Sequence, residues 1–325
     1  MPSTTHAAVV HSFDAPPRFE AIPLPEPSGN EVVVDVLAAG LHPRVRSSAD
    51  GSHYTSDGVL PLVPGIDGVG RTADGGLLYF VLPDTAFGSM AEQTVIDRRR
   101  AIVLPPGTDP VAVAAGMNPG MSSWLALRSR IDFRPGSSVL VLGATGNAGQ
   151  LAVQIARHLG AARVIGAGRD PHRLGLLKDL GADEVVGLDG DLAQAADVDV
   201  VLDYLWGEPA QRAMSALLRA RADRSRPLAW IEVGSIAGPD ITLPSFLLRA
   251  ANVTIMGSGQ GSVSTAGILG ELPSLVERIT SGALAVDPLP VPLDQVEAAW
   301  TATVEPGRRV VLVSGSGHED RSTGA

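Results

Sequence analysis

Apolar residues follow two different patterns along this chain, and the change falls near residue 120. Before it, short apolar segments stand between glycine and proline residues, which is typical of β-strands joined by turns. Four such strands are predicted, at 31–38, 68–72, 77–82 and 90–95. The chain up to about Pro119 is therefore expected to form a β-rich unit.

From residue 139 onward, unbroken apolar segments alternate with helix-like stretches. The first segment, 139–142, is followed by a glycine-rich loop and by a stretch in which Leu151, Ile155 and Leu159 recur at four-residue spacing. Further apolar segments follow at 164–167, 184–186, 198–202, 228–233 and 253–256. Because unbroken apolar strands are buried on both faces, this half is expected to be an α/β fold, a doubly wound parallel sheet covered by helices.

The last part of the chain contains predicted helices at 275–280 and 293–301 and a predicted strand at 309–314. A single strand needs a sheet to join, and the N-terminal β-rich unit can supply one. We therefore assign three parts: 1–119 with 273–314 as one domain, 120–272 as a Rossmann domain, and the small, polar residues 315–325 as a disordered tail.

Composition excludes several classes of protein. The 325 residues include 25 basic and 35 acidic side chains, so neither nucleic acid nor a membrane is an expected partner. The absence of cysteine excludes thiolate metal sites and thiol nucleophiles. Because no apolar stretch reaches the roughly 18 residues of a membrane span and the N-terminus lacks an export pattern, a cytoplasmic location is expected.

The loop after the first parallel strand carries the clearest chemical signal, Gly143-Ala144-Thr145-Gly146-Asn147-Ala148-Gly149. Glycine at 146 lets the backbone approach a pyrophosphate, and glycine at 149 lets helix and strand pack closely. The N–H groups at the start of the helix attract an anion. The loop therefore predicts a dinucleotide site rather than a plain turn, with cofactor contacts from Ala144, Thr145, Gly146, Asn147 and Ala148.

The end of the second parallel strand distinguishes NAD from NADPH. An acidic residue there binds the ribose 2′-hydroxyl of NAD, whereas arginine suits the 2′-phosphate of NADPH. Gly168 and Arg169 occupy this place, and Arg173 follows one turn into the next helix. We therefore favour NADPH, while Asp170 and Pro171 would also serve as an ordinary helix start.

Five segments, taken in chain order, resemble the medium-chain dehydrogenase/reductases: 61–70 (PLVPGIDGVG), 114–124 (AAGMNPGMSSW), the loop at 143–149, 198–203 (VDVVLD) and 309–313 (RVVLV). The likeness covers nearly the whole chain and is to the zinc-free quinone oxidoreductase branch. It implies a GroES-like first domain, a Rossmann domain and a C-terminal segment that returns to the first domain. It also implies an active-site cleft between the domains and a homodimer.

Zinc-binding members of this superfamily place metal ligands at the positions of His42, Ile66 and Asp67. Isoleucine does not bind zinc, and the other two residues fall short of the three protein ligands of a catalytic zinc, so no metal is expected. Without a Lewis acid, hydride reduction of a quinone or an α,β-unsaturated carbonyl is the expected chemistry. Two alternatives stay open: a dinucleotide-binding protein with little catalysis, and a reductase domain acting on thioester-bound chains.

The resemblance also gives candidate site residues. In segment 41–46, which matches the stretch lining the cleft, His42 replaces the usual asparagine, and the tyrosine common in the branch is missing nearby. His42 and Tyr54 are candidate catalytic donors, with an ordinary packed or surface residue as the alternative for each. Arg46 and Met121 are candidate substrate contacts. The remaining candidate cofactor contacts are Pro43, Asn118 and Ser122, and, at the carboxyl ends of strands, Gly234, Ser235, Gly257 and Ser258.

Overall fold

The computed structural model describes residues 3–305 and 307–315, and the chain divides into two compact units. The first unit takes the chain up to Asn118 and again from Leu272 onward, and the second is Pro119–Glu271. Residues 316–325 of the predicted disordered tail lie outside the described residues. Within the described ranges, no helix is both long and apolar enough to cross a bilayer.

The described residues form fifteen strands and eight α-helices. The strands are β1 Thr4–Val9, β2 Arg18–Pro23, β3 Glu31–Gly40, β4 Asp67–Arg71, β5 Leu77–Val81, β6 Gln93–Asp97, β7 Ala101–Val103, β8 Ser138–Leu142, β9 Arg163–Gly168, β10 Glu184–Gly187, β11 Val200–Asp203, β12 Leu228–Glu232, β13 Val253–Gly257, β14 Pro288–Pro292 and β15 Arg309–Val313. The helices are α1 Pro43–Ala49, α2 Pro110–Leu125, α3 Asn147–His158, α4 Pro171–Leu176, α5 Gly207–Ala220, α6 Ser245–Ala250, α7 Thr265–Thr280 and α8 Val296–Thr301.

A mostly antiparallel sheet forms the first unit. Its strand order is β14-β15-β3-β4-β5-β7, with β6 also paired to β3. The C-terminal strand β15 runs antiparallel to β3, with Val311 opposite Gly40, so the last strand joins the sheet of the N-terminal segment. The core of this unit draws on both parts of the chain and includes Val34, Phe80, Ile96, Val296 and Leu312.

The second unit is built on six parallel strands in the order β10-β9-β8-β11-β12-β13. The residues Val139 to Leu142 of β8 are fully buried, as expected for a central strand with helices on both faces. The chain fills the sheet outward from β8 in one direction and then returns to place β11 on its other side. This reversal is the topological switch point of a doubly wound sheet, and the predicted fold class is confirmed.

Helix α2 and strand β14 are among the elements that the sequence did not predict. Helix α2 begins near the end of the region predicted as β-rich, where the Asp109 carboxylate accepts the backbone N–H of Val111 at 2.9 Å. Strand β14 contains prolines at 288, 290 and 292, which removed the strand signal. Prolines are tolerated there because β14 ends the strand order of its sheet.

Replacing Gly149 by alanine is expected to destabilise the second unit by about 1–3 kcal/mol, the usual cost of overpacking. A Cβ at this position would lie 2.3 Å from the Gly143 carbonyl oxygen and 2.6 Å from the Ala144 Cα, and neither is a flexible side chain. Urea-induced unfolding measures the effect through tryptophan fluorescence, since Trp124, Trp206 and Trp230 all lie in this unit.

Gly175→Ala is the matched control for this measurement. Gly175 lies in α4, and a Cβ there would meet nothing within 4 Å. This variant should be unchanged or stabilised by up to about 1 kcal/mol, because alanine is the better helix former. Equal stability of the two variants would contradict the close packing at Gly149.

Candidate functional site

The glycine-rich loop connects β8 to α3 at the carboxyl edge of the parallel sheet. Gly143 turns the chain with a φ of +83°, and Gly146 is the N-cap residue of α3. Gly146 has no side chain with which to cap this helix, and a helix N-terminus favours a bound anion. Ala144 and Thr145 are buried under the loop. The loop thus has the geometry that a pyrophosphate needs.

The residues after β9 combine a helix start with two arginines. The Asp170 carboxylate accepts the backbone N–H groups of His172 (2.9 Å) and Arg173 (3.3 Å), and it therefore caps α4. Arg173 donates to the carbonyl of Thr145, and its partial burial lowers the pKa of its guanidinium. Arg169 is exposed next to the buried Gly168. Asp170 is thus occupied as a cap, while a guanidinium follows the strand end.

Tyr204, which the sequence analysis did not select, lies directly after β11 at the same edge. Its hydroxyl is 2.9 Å from the Ser122 Oγ, and the Ser122 hydroxyl donates to the Pro119 carbonyl at 2.7 Å. Because the Ser122 hydrogen is used in that bond, the Tyr204 hydroxyl is the donor to Ser122. Burial raises the pKa of Tyr204 to about 12, so the hydroxyl keeps its proton at neutral pH. A Cβ added to Gly143 would lie 3.3 Å from the Tyr204 Cβ, so Tyr204 borders the glycine-rich loop.

The buried Asp203 fixes the backbone on either side of Tyr204. Its carboxylate accepts the backbone N–H groups of Leu205 (2.9 Å) and Trp206 (3.0 Å) and the indole N–H of Trp230 (3.0 Å). Trp206 has a φ of +49°, a backbone conformation that costs a non-glycine residue free energy. Burial raises the pKa of Asp203. Asp203 is thus a structural anchor for the loop that presents Tyr204.

The other predicted cofactor contacts of the second unit lie along the same edge of the sheet. Gly234 follows β12, and its N–H donates to the Asp203 carbonyl at 3.2 Å; Ser235 comes next in the chain. Gly257 ends β13, and the N–H of the buried Ser258 donates to the last carbonyl of β12 at 2.8 Å. The structure therefore brings the glycine loop, both strand ends and Tyr204 to one edge.

The predicted residues on α2 are spread along one turn of that helix. Met121 and Ser122 are half-buried and belong to the second unit. Asn118 is also half-buried and is the last residue of α2 that belongs to the first unit. Of these, Ser122 is connected to the carboxyl edge through its bond with Tyr204.

In the first unit, His42 begins a chain of three buried side chains. Its Nε2 lies 3.0 Å from the Asp67 Oδ1, and the Tyr79 hydroxyl donates to the other Asp67 oxygen at 2.7 Å. Each of the three side chains is at most 2% exposed. From the sequence, Asp67 was assigned only to a metal-ligand position, and Tyr79 was not predicted as a site residue.

The residues at the superfamily's zinc-ligand positions do not fit a catalytic zinc. His42 and Asp67 bond to each other, the second Asp67 oxygen accepts from Tyr79, and Ile66 has no ligand atom. Across residues 3–305 and 307–315, no three His, Asp or Glu side chains gather into a possible metal site. We therefore derive no chemistry through a metal.

The remaining predicted residues of the first unit lie on or after α1. Pro43 is the exposed first residue of the helix. The half-buried Arg46 guanidinium lies 5.3 Å from the ring centre of Trp300 and donates to the Trp300 carbonyl, and burial lowers the pKa of Arg46. Tyr54 is 75% exposed, with its ring 4.4 Å from that of His53. His42, Pro43 and Arg46 thus share one helix end, and Tyr54 lies on a surface loop.

Comparison with known proteins agrees with this geometry. Residues 148–279 match the family model described as zinc-binding dehydrogenase. The probable NADPH-dependent quinone reductase tdiC of Emericella nidulans is 32% identical, and the alignment covers 95% of this chain and 99% of the relative. The chloroplastic NADPH-dependent alkenal/one oxidoreductase of Arabidopsis thaliana is 30% identical over 50% of this chain and 46% of its own.

A solved structure extends the agreement to the whole fold. The quinone oxidoreductase from Thermus thermophilus, also solved as a complex with NADPH, has a TM-score of 0.80 and 26% identity over 95% of this chain and 99% of its own. The glycine loop at the switch point and the returning C-terminal strand define a two-domain nucleotide-binding protein of dehydrogenase type. The chain belongs to the medium-chain dehydrogenase/reductase superfamily, in its quinone oxidoreductase-like branch, as the sequence resemblance predicted.

The Ser122–Tyr204 hydrogen bond is expected to contribute about 1 kcal/mol to the stability of the second unit. Ser122→Ala and Tyr204→Phe should each lower the free energy of unfolding, and the double variant should lose less than the sum of the two. Unfolding in urea measures all three variants. Tyr204→Phe combined with Ser225→Ala, an exposed serine that bonds Asp223, is the control and should be additive. If the effects of Ser122→Ala and Tyr204→Phe are also additive, the bond between them contributes nothing to the stability of the unit.

Proposed function

We propose that this protein reduces a quinone or an α,β-unsaturated carbonyl by hydride transfer from NADPH without a metal ion. The observation that carries the proposal is a pair of features. A glycine-rich dinucleotide loop is followed by an arginine at the end of β9, and the His42 and Asp67 side chains at zinc-ligand positions bond to each other. The relatives support the same class, since the tdiC protein is named a quinone reductase and the Arabidopsis protein an alkenal/one oxidoreductase.

The second unit fits NADPH better than NADH. The pyrophosphate would lie at the N-terminus of α3, where the N-cap residue Gly146 has no side chain in the way of an anion. Arg169 would take the 2′-phosphate, with Arg173 bracing the loop through the Thr145 carbonyl. The Asp170 carboxylate accepts two backbone N–H groups as the cap of α4, which would direct it toward the helix rather than toward a ribose hydroxyl. Gly234, Ser235, Gly257 and Ser258 would line the same edge.

NADPH, when bound, supplies the hydride, and the chain's own residues would orient the substrate and stabilise the charge on its oxygen. His42 is the principal candidate donor to that oxygen, and Tyr54 is the second. Arg46 and Met121 are the proposed substrate contacts, with Pro43, Asn118 and Ser122 on the cofactor side. The cleft between domains and the homodimer belong to the proposal through the family resemblance alone, and the cytoplasmic location through the pattern of the sequence.

The alternative is a dinucleotide-binding protein of the same fold with little catalysis. A panel of quinones and enones separates the two, with oxidation of NADPH followed by its absorbance. Turnover with any class of acceptor supports the reductase, and NADPH binding without turnover on the whole panel supports the alternative.

Arg169→Ala is expected to weaken NADPH binding by about 10- to 100-fold, the range for losing charge-assisted bonds to a phosphate. NADH binding should stay nearly unchanged, because NADH lacks the 2′-phosphate. Titration of the full chain with each nucleotide, followed by calorimetry, measures both affinities. Arg134→Ala, which removes an exposed arginine paired with Asp132 in the same unit, is the control and should alter neither. Equal losses for both nucleotides would reject the assigned role of Arg169.

Metal analysis and chelation test the metal-free reaction. The purified protein is expected to contain no stoichiometric zinc, and NADPH oxidation should survive incubation with EDTA, because the residues at the ligand positions offer no complete zinc site. One zinc per chain together with loss of activity on chelation would contradict the proposal.

A further inference from the structure

The hydrogen-bond chain Tyr79–Asp67–His42 determines which nitrogen of the His42 ring carries hydrogen. Both Asp67 oxygens act as acceptors, one from the Tyr79 hydroxyl and one from the ring. A carboxylate only accepts, so the His42 Nε2 must be the donor in the bond to Asp67. In the neutral ring the hydrogen is therefore on Nε2, and Nδ1 has a lone pair.

The other ring nitrogen is the unusual atom of this site. The His42 Nδ1 is buried and has no hydrogen-bond partner among the described residues. A buried polar atom without a partner costs free energy, so its retention calls for a role that packing does not explain. Nδ1 is the ring atom left to bond a bound molecule.

Charged groups of opposite effect act on the His42 ring from three elements. Asp67 on β4, itself bonded by Tyr79 on β5, favours the charged imidazolium, whereas Arg44 on α1 and Arg309 on β15 oppose it. Burial is the largest influence and also opposes the charge, and the net result is a pKa of His42 below its ordinary value. The carboxylate is thus the main group that keeps a charged ring attainable.

We propose that Asp67 and Tyr79 are positioning residues that fix the orientation of the His42 ring and control its charge. The catalytic consequence of this inference rests on the proposed function. In that reaction, the substrate oxygen gains an electron pair when hydride adds to the conjugated system. The imidazolium then transfers its Nδ1 proton to that oxygen, becomes neutral and takes a new proton from water.

The two positioning residues should act in opposite directions. Asp67→Asn removes the negative charge that stabilises the imidazolium, so His42 should become harder to protonate. Tyr79→Phe removes the hydroxyl that shares the Asp67 charge, so the carboxylate should attract the imidazolium more strongly and His42 should become easier to protonate. A role in packing alone gives no reason for opposite signs.

Nuclear magnetic resonance of the ligand-free full chain tests the inference without any enzyme assay. The His42 signal is identified as the one that His42→Gln removes. In the wild type, the nitrogen shifts of the neutral ring should show hydrogen on Nε2 and a bare Nδ1. A ring with its hydrogen on Nδ1 would overturn the inference, and this measurement is made on the wild-type ring itself.

The pH titration of the same His42 signal provides the second test of the inference. The midpoint should fall by about 1 pH unit or more in Asp67→Asn and rise by a smaller amount in Tyr79→Phe. Asp97→Asn, which removes a half-buried carboxylate bonded to Arg99 in the same unit, is the control and should leave the midpoint unchanged. Shifts of the same sign in both variants, or no shift in either, would overturn the proposal.

The activity arm separates this inference from the proposed function. In the wild type, kcat/KM for the accepted quinone or enone should fall as pH rises through the His42 midpoint, because the charged ring is the proton source. The pH at which kcat/KM falls should be lower in Asp67→Asn and higher in Tyr79→Phe, in step with the resonance midpoints. Absence of turnover in the wild type would defeat the proposed function, while the resonance results would still decide the roles of Asp67 and Tyr79.

Discussion

The close approach between the start of α3 and the end of β8 is the constraint on which the nucleotide site depends. Gly149 permits it, because any side chain at that position would overlap the backbone of Gly143 and Ala144. The contact places the helix N-terminus at the carboxyl edge of the sheet, where Tyr204 and the ends of β12 and β13 also lie. The electrostatics of anion binding thus follow from packing, since the helix dipole acts only where the backbone allows the helix to begin.

The two units differ in how they satisfy the hydrogen bonds of a buried carboxylate. In the second unit, the Asp203 carboxylate is satisfied by three N–H groups and serves the local chain path. In the first unit, Asp67 is satisfied by two side chains, one of which, His42, has a ring that can gain or lose a proton. The difference explains why Asp203 is a structural anchor and Asp67 is a candidate for chemistry.

The parallel-sheet unit was predictable from sequence because its strands are buried on both faces and appear as unbroken apolar segments. The nucleotide loop was predictable because its glycines are local. Helix α2 was missed because Gly116, Pro119 and Gly120 interrupt its pattern. The Ser122–Tyr204 and His42–Asp67 contacts join residues 82 and 25 positions apart, and no local pattern encodes which side chains the fold brings together.

The alternate prolines of β14 have a consequence for the behaviour of the protein at high concentration. Alternate residues of a strand direct their N–H groups to the same side. In β14, Leu289 and Val291 have N–H groups to donate toward β15, whereas the prolines between and beside them have none. The opposite side of β14 consists of Pro288, Pro290 and Pro292 and so offers no amide donors. A foreign strand finds no complete ladder to extend there, so this margin of the sheet is protected against aggregation and strand exchange.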